Sequence, residues 1–184
     1  AYLAGLEKRL QEGKEIDGIA SVASFFISRI DAKVDSQLEE MLIMAPVDEQ
    51  GFVKDLFGKA ALASGKLAFV AYEEIFGDQA SKFSDLKGSG ANKQRALWAS
   101  TSTKNPTYPD TMYVDELIGP DTVNTAPPAT VVAFEDHGTV AITLTVDVDE
   151  ARQQLAQLEA LGINIDAITE KLQKDGVASF AAAF

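Results

Sequence analysis

Three short runs of small and apolar residues, 19–26, 96–100 and 122–125, alternate along the chain with stretches of helical spacing, and this alternation confines the fold to a parallel α/β architecture. Parallel strands cannot be joined by a tight turn and need a crossover segment, usually a helix. The run 19–26 (Ile-Ala-Ser-Val-Ala-Ser-Phe-Phe) is almost continuously small or apolar, as a parallel strand covered on both faces requires.

The segments between the runs carry the matching helical signals. Ala1, Leu3, Ala4, Leu6 and Leu10 fall at helical spacing until Glu12-Gly13-Lys14 ends the pattern. No capping residue precedes them, so the chain is expected to start inside a helix, as a fragment or a processed chain would. After the first strand, 27–30 is expected to begin a loop. Val34, Leu38, Met41 and Leu42 then share a helical face that Ala45-Pro46 ends. Residues 59–76 predict the crossover helix, Gly77, Gly88 and Gly90 a loop, and 110–117 and 130–137 two short helices. The alternation Val140, Ile142, Leu144, Val146 predicts a further strand. Asp149 is expected to cap a helix over 150–161 closed by Gly162, and Asp175-Gly176 to end another over 166–176. The tail 177–184 is apolar enough to pack onto something. No internal repeat divides residues 1–184, which read as one domain.

Charge and composition restrict the partners. A formal net charge of −12 repels nucleic acid and anionic membranes, and makes any cation facing a substrate more conspicuous. Arg29 and Lys104 are the candidates. The absence of cysteine excludes disulfides, thiolate metal sites and cysteine nucleophiles, and favours a cytoplasmic setting. No apolar run reaches the roughly 18 residues of a membrane span, and no leader is expected from these residues. Neither a phosphate loop nor a dinucleotide fingerprint is present, so no nucleotide cofactor is expected. The single histidine, His137, has no second histidine to share a metal and is expected to cap a helix C-terminus.

The candidate site residues stand at the ends of the predicted strands. In Ser24-Phe25-Phe26-Ile27-Ser28-Arg29-Ile30-Asp31, the guanidinium of Arg29 suits paired hydrogen bonds to phosphate oxygens; the alternative is an ion pair with Asp31 or Asp35. Ser100, Ser102, Thr103 and Lys104 offer hydroxyls and one ammonium group that together suit a phosphate, or else form a polar loop entering a helix. Asn124 and Thr125 suit a sugar hydroxyl, though Asn-Thr before Ala126-Pro127-Pro128 is also ordinary turn chemistry. Trp98 is expected in the core or the barrel wall.

These segments, with Leu97-Trp98-Ala99-Ser100-Thr101-Ser102-Thr103-Lys104-Asn105-Pro106, Asp115-Glu116-Leu117-Ile118-Gly119-Pro120 and Thr122-Val123-Asn124-Thr125-Ala126-Pro127-Pro128, resemble the transaldolase family. The likeness covers nearly the whole chain, most specifically 20–128. It implies an eightfold β/α barrel that transfers a dihydroxyacetone unit between sugar phosphates in the pentose phosphate pathway through a lysine Schiff base, without cofactor or metal. Such a barrel takes about 250 residues, so these 184 imply a partial barrel, the C-terminal strands and helices. The resemblance places the Schiff-base lysine upstream and assigns no catalytic residue here. It assigns Ser24 and Phe26 to the sugar site, Arg29 to phosphate, and Ser100 and Lys104 to a second phosphate-binding corner. Many family members carry an arginine after the Ala-Ser pair where this chain has Ser102-Thr103-Lys104. The chain alone is expected to be inactive. The implied partners are sugar phosphates and either the missing N-terminal half of the barrel or a second copy along the open edge. A noncatalytic half-barrel module that needs such a partner is the alternative.

Overall fold

Strands β1 (Ser21–Phe26), β2 (Gln94–Ala99) and β3 (Thr122–Asn124) form one parallel sheet in the order β1-β2-β3, seen in a computed structural model that describes residues 1–79 and 81–183, with only the backbone of Ser81. The register pairs Ser24 with Leu97, Phe26 with Ala99 and Trp98 with Asn124. Helix α1 (Tyr2–Gln11) precedes the sheet. Helices α2 (Ile27–Met44), α3 (Gln50–Lys54), α4 (Ala60–Phe76) and α5 (Ser81–Lys87) make the crossover from β1 to β2, and α6 (Met112–Asp115) lies between β2 and β3. Helices α7 (Pro128–His137), α8 (Val148–Ala160) and α9 (Ile165–Ala183) follow. The α/β class and its parallel sheet agree with a partial barrel. No helix among the described residues is long and apolar enough to cross a membrane.

Side chains alternate across the sheet. On one face Ala96 and Trp98 are buried; the indole N–H of Trp98 donates to the Leu117 carbonyl at 3.1 Å, and the Phe25 ring lies 5.5 Å away. Trp98 is therefore core, as expected. The opposite face carries Val22, Ser24, Phe26, Arg95, Leu97 and Ala99, none of them buried. The expectation that 19–26 is covered on both faces does not hold. Helices cover one face, β1 is the outer strand, and Val22, Phe25 and Phe26 stay 37–41% exposed. The main core lies in the helical layer, where Ile27, Ile30, Val34 and Leu38 of α2 join Ala60, Ala61 and Phe69 of α4. Gly65 of α4 admits this packing, since a Cβ there would stand 3.0 Å from a Leu117 methyl.

Several local expectations are corrected. Residues 27–30 are the first turn of α2, not a loop, because the chain passes from Phe26 straight into helix. Part of the glycine-bounded stretch 77–90 is helical as α5. The alternating stretch 140–146 is not a strand: Val140 is 83% exposed, and the Thr143 and Leu144 N–H groups both donate to the Ile118 carbonyl, fixing an irregular segment against the stretch that follows α6. Alternation without a neighbouring strand supplies no ladder. Helix α8 starts at Val148 after Asp147, whose φ is +54°, so Asp149 lies inside it. Helix α9 continues through Gly176 to Ala183, and Val177 and Phe180 remain exposed, so the described part of the tail does not pack down; Phe184 lies outside the described residues.

Candidate substrate site

The C-terminal ends of the three strands lie side by side, and the site is built where β1 hands over to α2. The Ser28 N–H donates to the Ser100 carbonyl at 3.1 Å, and the two hydroxyls share a hydrogen bond of 2.9 Å. This pair fastens the first turn of α2 over the end of β2. Ser100 adopts φ +57°, a left-handed conformation that residues other than glycine rarely take, and such strain concentrates at ligand sites. Beyond it, the buried Thr101 hydroxyl donates to the Asn124 side-chain oxygen at 2.8 Å, while the Thr125 N–H and hydroxyl both donate to the Trp98 carbonyl. Asn124 and Thr125 therefore stitch β3 to β2.

Arg29 leaves the first turn of α2 into solvent, its guanidinium carbon 4.8 Å from the centroid of the Phe26 ring. A cation over an aromatic face is held without being neutralised. Among the described residues Arg29 forms no ion pair, and neither expected carboxylate is available to it. Asp31 accepts from the Ala61 N–H at 2.7 Å and the Tyr113 hydroxyl at 2.7 Å; Asp35 accepts from the Gly58 N–H at 3.1 Å and the Tyr108 hydroxyl at 2.7 Å. Burial pushes the Asp31 carboxyl up to about 6 against the pull of those two hydrogen bonds, with the Asp35 charge adding to the rise. Burial also raises Asp35, again opposed by its hydrogen bonds. Desolvation, reinforced by the facing carboxylates, raises both tyrosines.

The sequence candidates thus sort by contact. Ser24 and Phe26 share one face of β1, Phe26 touches Arg29, and Ser100 is joined to the helix that carries Arg29. Lys104 is held only locally among the described residues, its ammonium group donating to the Ser102 hydroxyl at 2.7 Å. Ser28, Thr101, Tyr108 and Tyr113 were not singled out by the sequence, and Asp31 and Asp35 only as ion-pair partners of Arg29, not as buried acceptors. The signal for the two acids was present: Asp31 and Asp35, four apart, interrupt the apolar face of Ile27, Ile30, Val34 and Leu38, and charges on such a face need buried partners.

Two further polar groups belong elsewhere. Lys66, the one buried lysine among the described residues, donates to the Val146 carbonyl at 2.9 Å within the helical layer, with the Glu116 carboxylate 3.8 Å away. His137 closes α7, but its ring bonds Asp110 at 2.9 Å and Asp136 at 3.1 Å rather than helix carbonyls, and these carboxylates, Asp110 first, raise its pKa. Among the described residues no group of three or more His, Asp or Glu side chains is placed to hold a metal ion.

Comparison with known proteins gives a consistent result. A model of the transaldolase/fructose-6-phosphate aldolase family matches residues 3–184. The transaldolase of Neisseria gonorrhoeae is 46% identical over 184 residues, all of this chain and 48% of the relative. Transaldolase 2 of a Nostoc species is 48% identical over 189 aligned residues, and transaldolase 1 of Streptomyces coelicolor 46% over 185; each alignment takes in all of this chain and 49% and 46% of the relative. The chain spans about half the length of the curated relatives it matches.

Proposed function

This chain belongs to the transaldolase/fructose-6-phosphate aldolase family, and from that premise we propose that it forms part of an eightfold β/α barrel that transfers a dihydroxyacetone unit between sugar phosphates. In this assignment Arg29 and Lys104 hold phosphate, Ser24 and Phe26 line the sugar, and Ser100 fixes the corner between them. The observation that carries it is the Ser28–Ser100 clasp, which sets Arg29, a cation without a carboxylate partner among the described residues, beside the end of β2. Active sites of such barrels form at that end of the strands.

A lysine amine from outside the segments described above condenses with the ketose carbonyl, and the resulting iminium is the electron sink that permits carbon–carbon cleavage. The residues of this chain bind and orient, which lowers the barrier by fixing the reacting geometry. The chain alone is then inactive. Pentose phosphate metabolism in the cytoplasm is the setting we assign to the complete enzyme. Strands flanking β1 would cover Val22 and Phe26, which explains why so apolar a strand is exposed here.

A coupled transaldolase assay on this chain, alone and mixed with the upstream half of the gonococcal relative, tests the assignment. Activity only in the mixture, trapped as a reduced Schiff base by borohydride, is the expected result. Association without activity, and without affinity for a sugar phosphate, overturns it. The open edge of β1, with Phe25 and Phe26 exposed, favours a second assignment, a noncatalytic half-barrel that pairs with a complementary half or with itself. Sedimentation that shows a monomer with no affinity for the upstream half removes that one.

A further inference from the structure

Residues 100–111, between β2 and α6, carry Lys104 but have no regular structure of their own. They are tied back to α2, the helix of Arg29, at three points. The Ser28–Ser100 clasp holds their start, the Tyr108 hydroxyl donates to Asp35 in their middle, and the Tyr113 hydroxyl donates to Asp31 just past their end. Asp31 and Asp35 are one helical turn apart and therefore share a face of α2.

The carboxylates are themselves fixed from the other side. Their second oxygens accept from the Ala61 and Gly58 N–H groups at the entrance of α4, so neither acid can follow a tyrosine that moves. Gly58, at φ +69°, leaves room for the Tyr108 ring, since a Cβ there would stand 3.0 Å from a ring carbon. Tyr108 passes its anchorage toward Lys104 through a closed turn. Its N–H donates to the Asn105 carbonyl, and the Asn105 side-chain oxygen accepts from the Thr107 N–H and hydroxyl.

We propose that Tyr108 and Asp35 are positioning residues for the phosphate end of the substrate site, setting where the Lys104 segment stands relative to Arg29. This rests on the assignment of Arg29 and Lys104 to phosphate. Tyr113 and Asp31 are the buried, structural half of the brace. In the other half only Tyr108 reaches the surface, half-buried against the buried Asp35, so loss of its hydroxyl moves the segment without opening the core. Burial keeps the Tyr108 hydroxyl protonated, hence able to donate.

Tyr108→Phe in the complete enzyme tests this, assayed on a ketose phosphate and on the unphosphorylated ketose. We expect the ratio of the two kcat/KM values, phosphorylated over unphosphorylated, to fall about 3- to 5-fold through KM, with kcat changed less than about two-fold. Asp35→Ala gives the same fall, the double variant falls no further than either single one, and Asp35→Asn, which keeps an acceptor oxygen, restores most of it. Equal losses on both sugars, an unchanged ratio, or additive losses overturn the positioning role. If Tyr108→Phe does not fold, Asp35→Ala gives the same readout and decides. Arg29→Ala separates the two levels: if it leaves the ratio unchanged, the phosphate assignment falls and this proposal with it. If it lowers the ratio while Tyr108→Phe does not, only the positioning role is lost.

Discussion

The exits from β1 and β2 solve the same task in different ways. After Phe26 the chain enters α2 at the next residue, so Arg29 is placed by helix geometry three residues beyond the strand. After Ala99 twelve residues pass before α6, and Lys104 stands among them with Ser102 as its one direct partner among the described residues. Local structure fixes the first cation. The second depends on hydrogen bonds from Ser100, Tyr108 and Tyr113 to residues about 70 to 80 positions away. A guanidinium set rigidly at a strand end suits a directional phosphate contact, whereas an ammonium on an irregular segment acts as an adjustable point charge.

The sharpest way to break this comparison is Arg29→Ala in the complete enzyme. Phosphorylated substrate should bind about 2–5 kcal/mol more weakly if the pair is desolvated, and unphosphorylated sugar much less so. Equal loss for both, measured by titration calorimetry, would end the distinction between the two exits. Next in size is Asp31→Ala, which leaves the Tyr113 hydroxyl and the Ala61 N–H unpaired in the core and should cost about 2–3 kcal/mol in urea unfolding.

The same carboxylate gives a pH signature. Its folded pKa, about 6, lies above the unfolded value of 3.8, so between these values the folded chain binds more protons than the unfolded one. Its contribution to stability therefore rises as pH falls from 7 toward 4, by up to about 3 kcal/mol, with Asp35 acting in the same direction. Asp31→Asn should flatten that slope in thermal scans, and an unchanged slope would remove Asp31 as its source. Smaller still is the strain at the turn after β2. Ser100→Gly and Ser100→Ala lose the same hydroxyl, so the glycine variant should be about 1 kcal/mol the more stable, by the relief of φ +57°. Lys104→Ala should weaken phosphate binding by about 1 kcal/mol or less, as an exposed charge does.

Periodicity located the three strands and most helices because each is a local pattern with its own hydrogen bonds. It failed where a pattern lacked a partner or gained one from afar. Residues 140–146 alternate like a strand, yet the segment is held by the Ile118 carbonyl and by Lys66. Gly176 read as a helix end and lies within α9, which a single glycine weakens by only about 1 kcal/mol. At the site, Arg29, Ser100 and Lys104 were visible as cations and hydroxyls after apolar runs. Ser28 and Tyr108 were not, and Asp35 was read only as a partner for Arg29, because each matters through a residue far along the chain.

The sequence by itself determined the parallel α/β alternation, the family and the kinds of group at each strand end, since these follow from side-chain chemistry and short-range spacing. Tertiary structure alone decided that Asp31 and Asp35 turn inward to Tyr113 and Tyr108, leaving Arg29 without a carboxylate partner among the described residues. The physical reason is that a buried carboxylate must find fixed donors, and here α4 and the segment after β2 supply them.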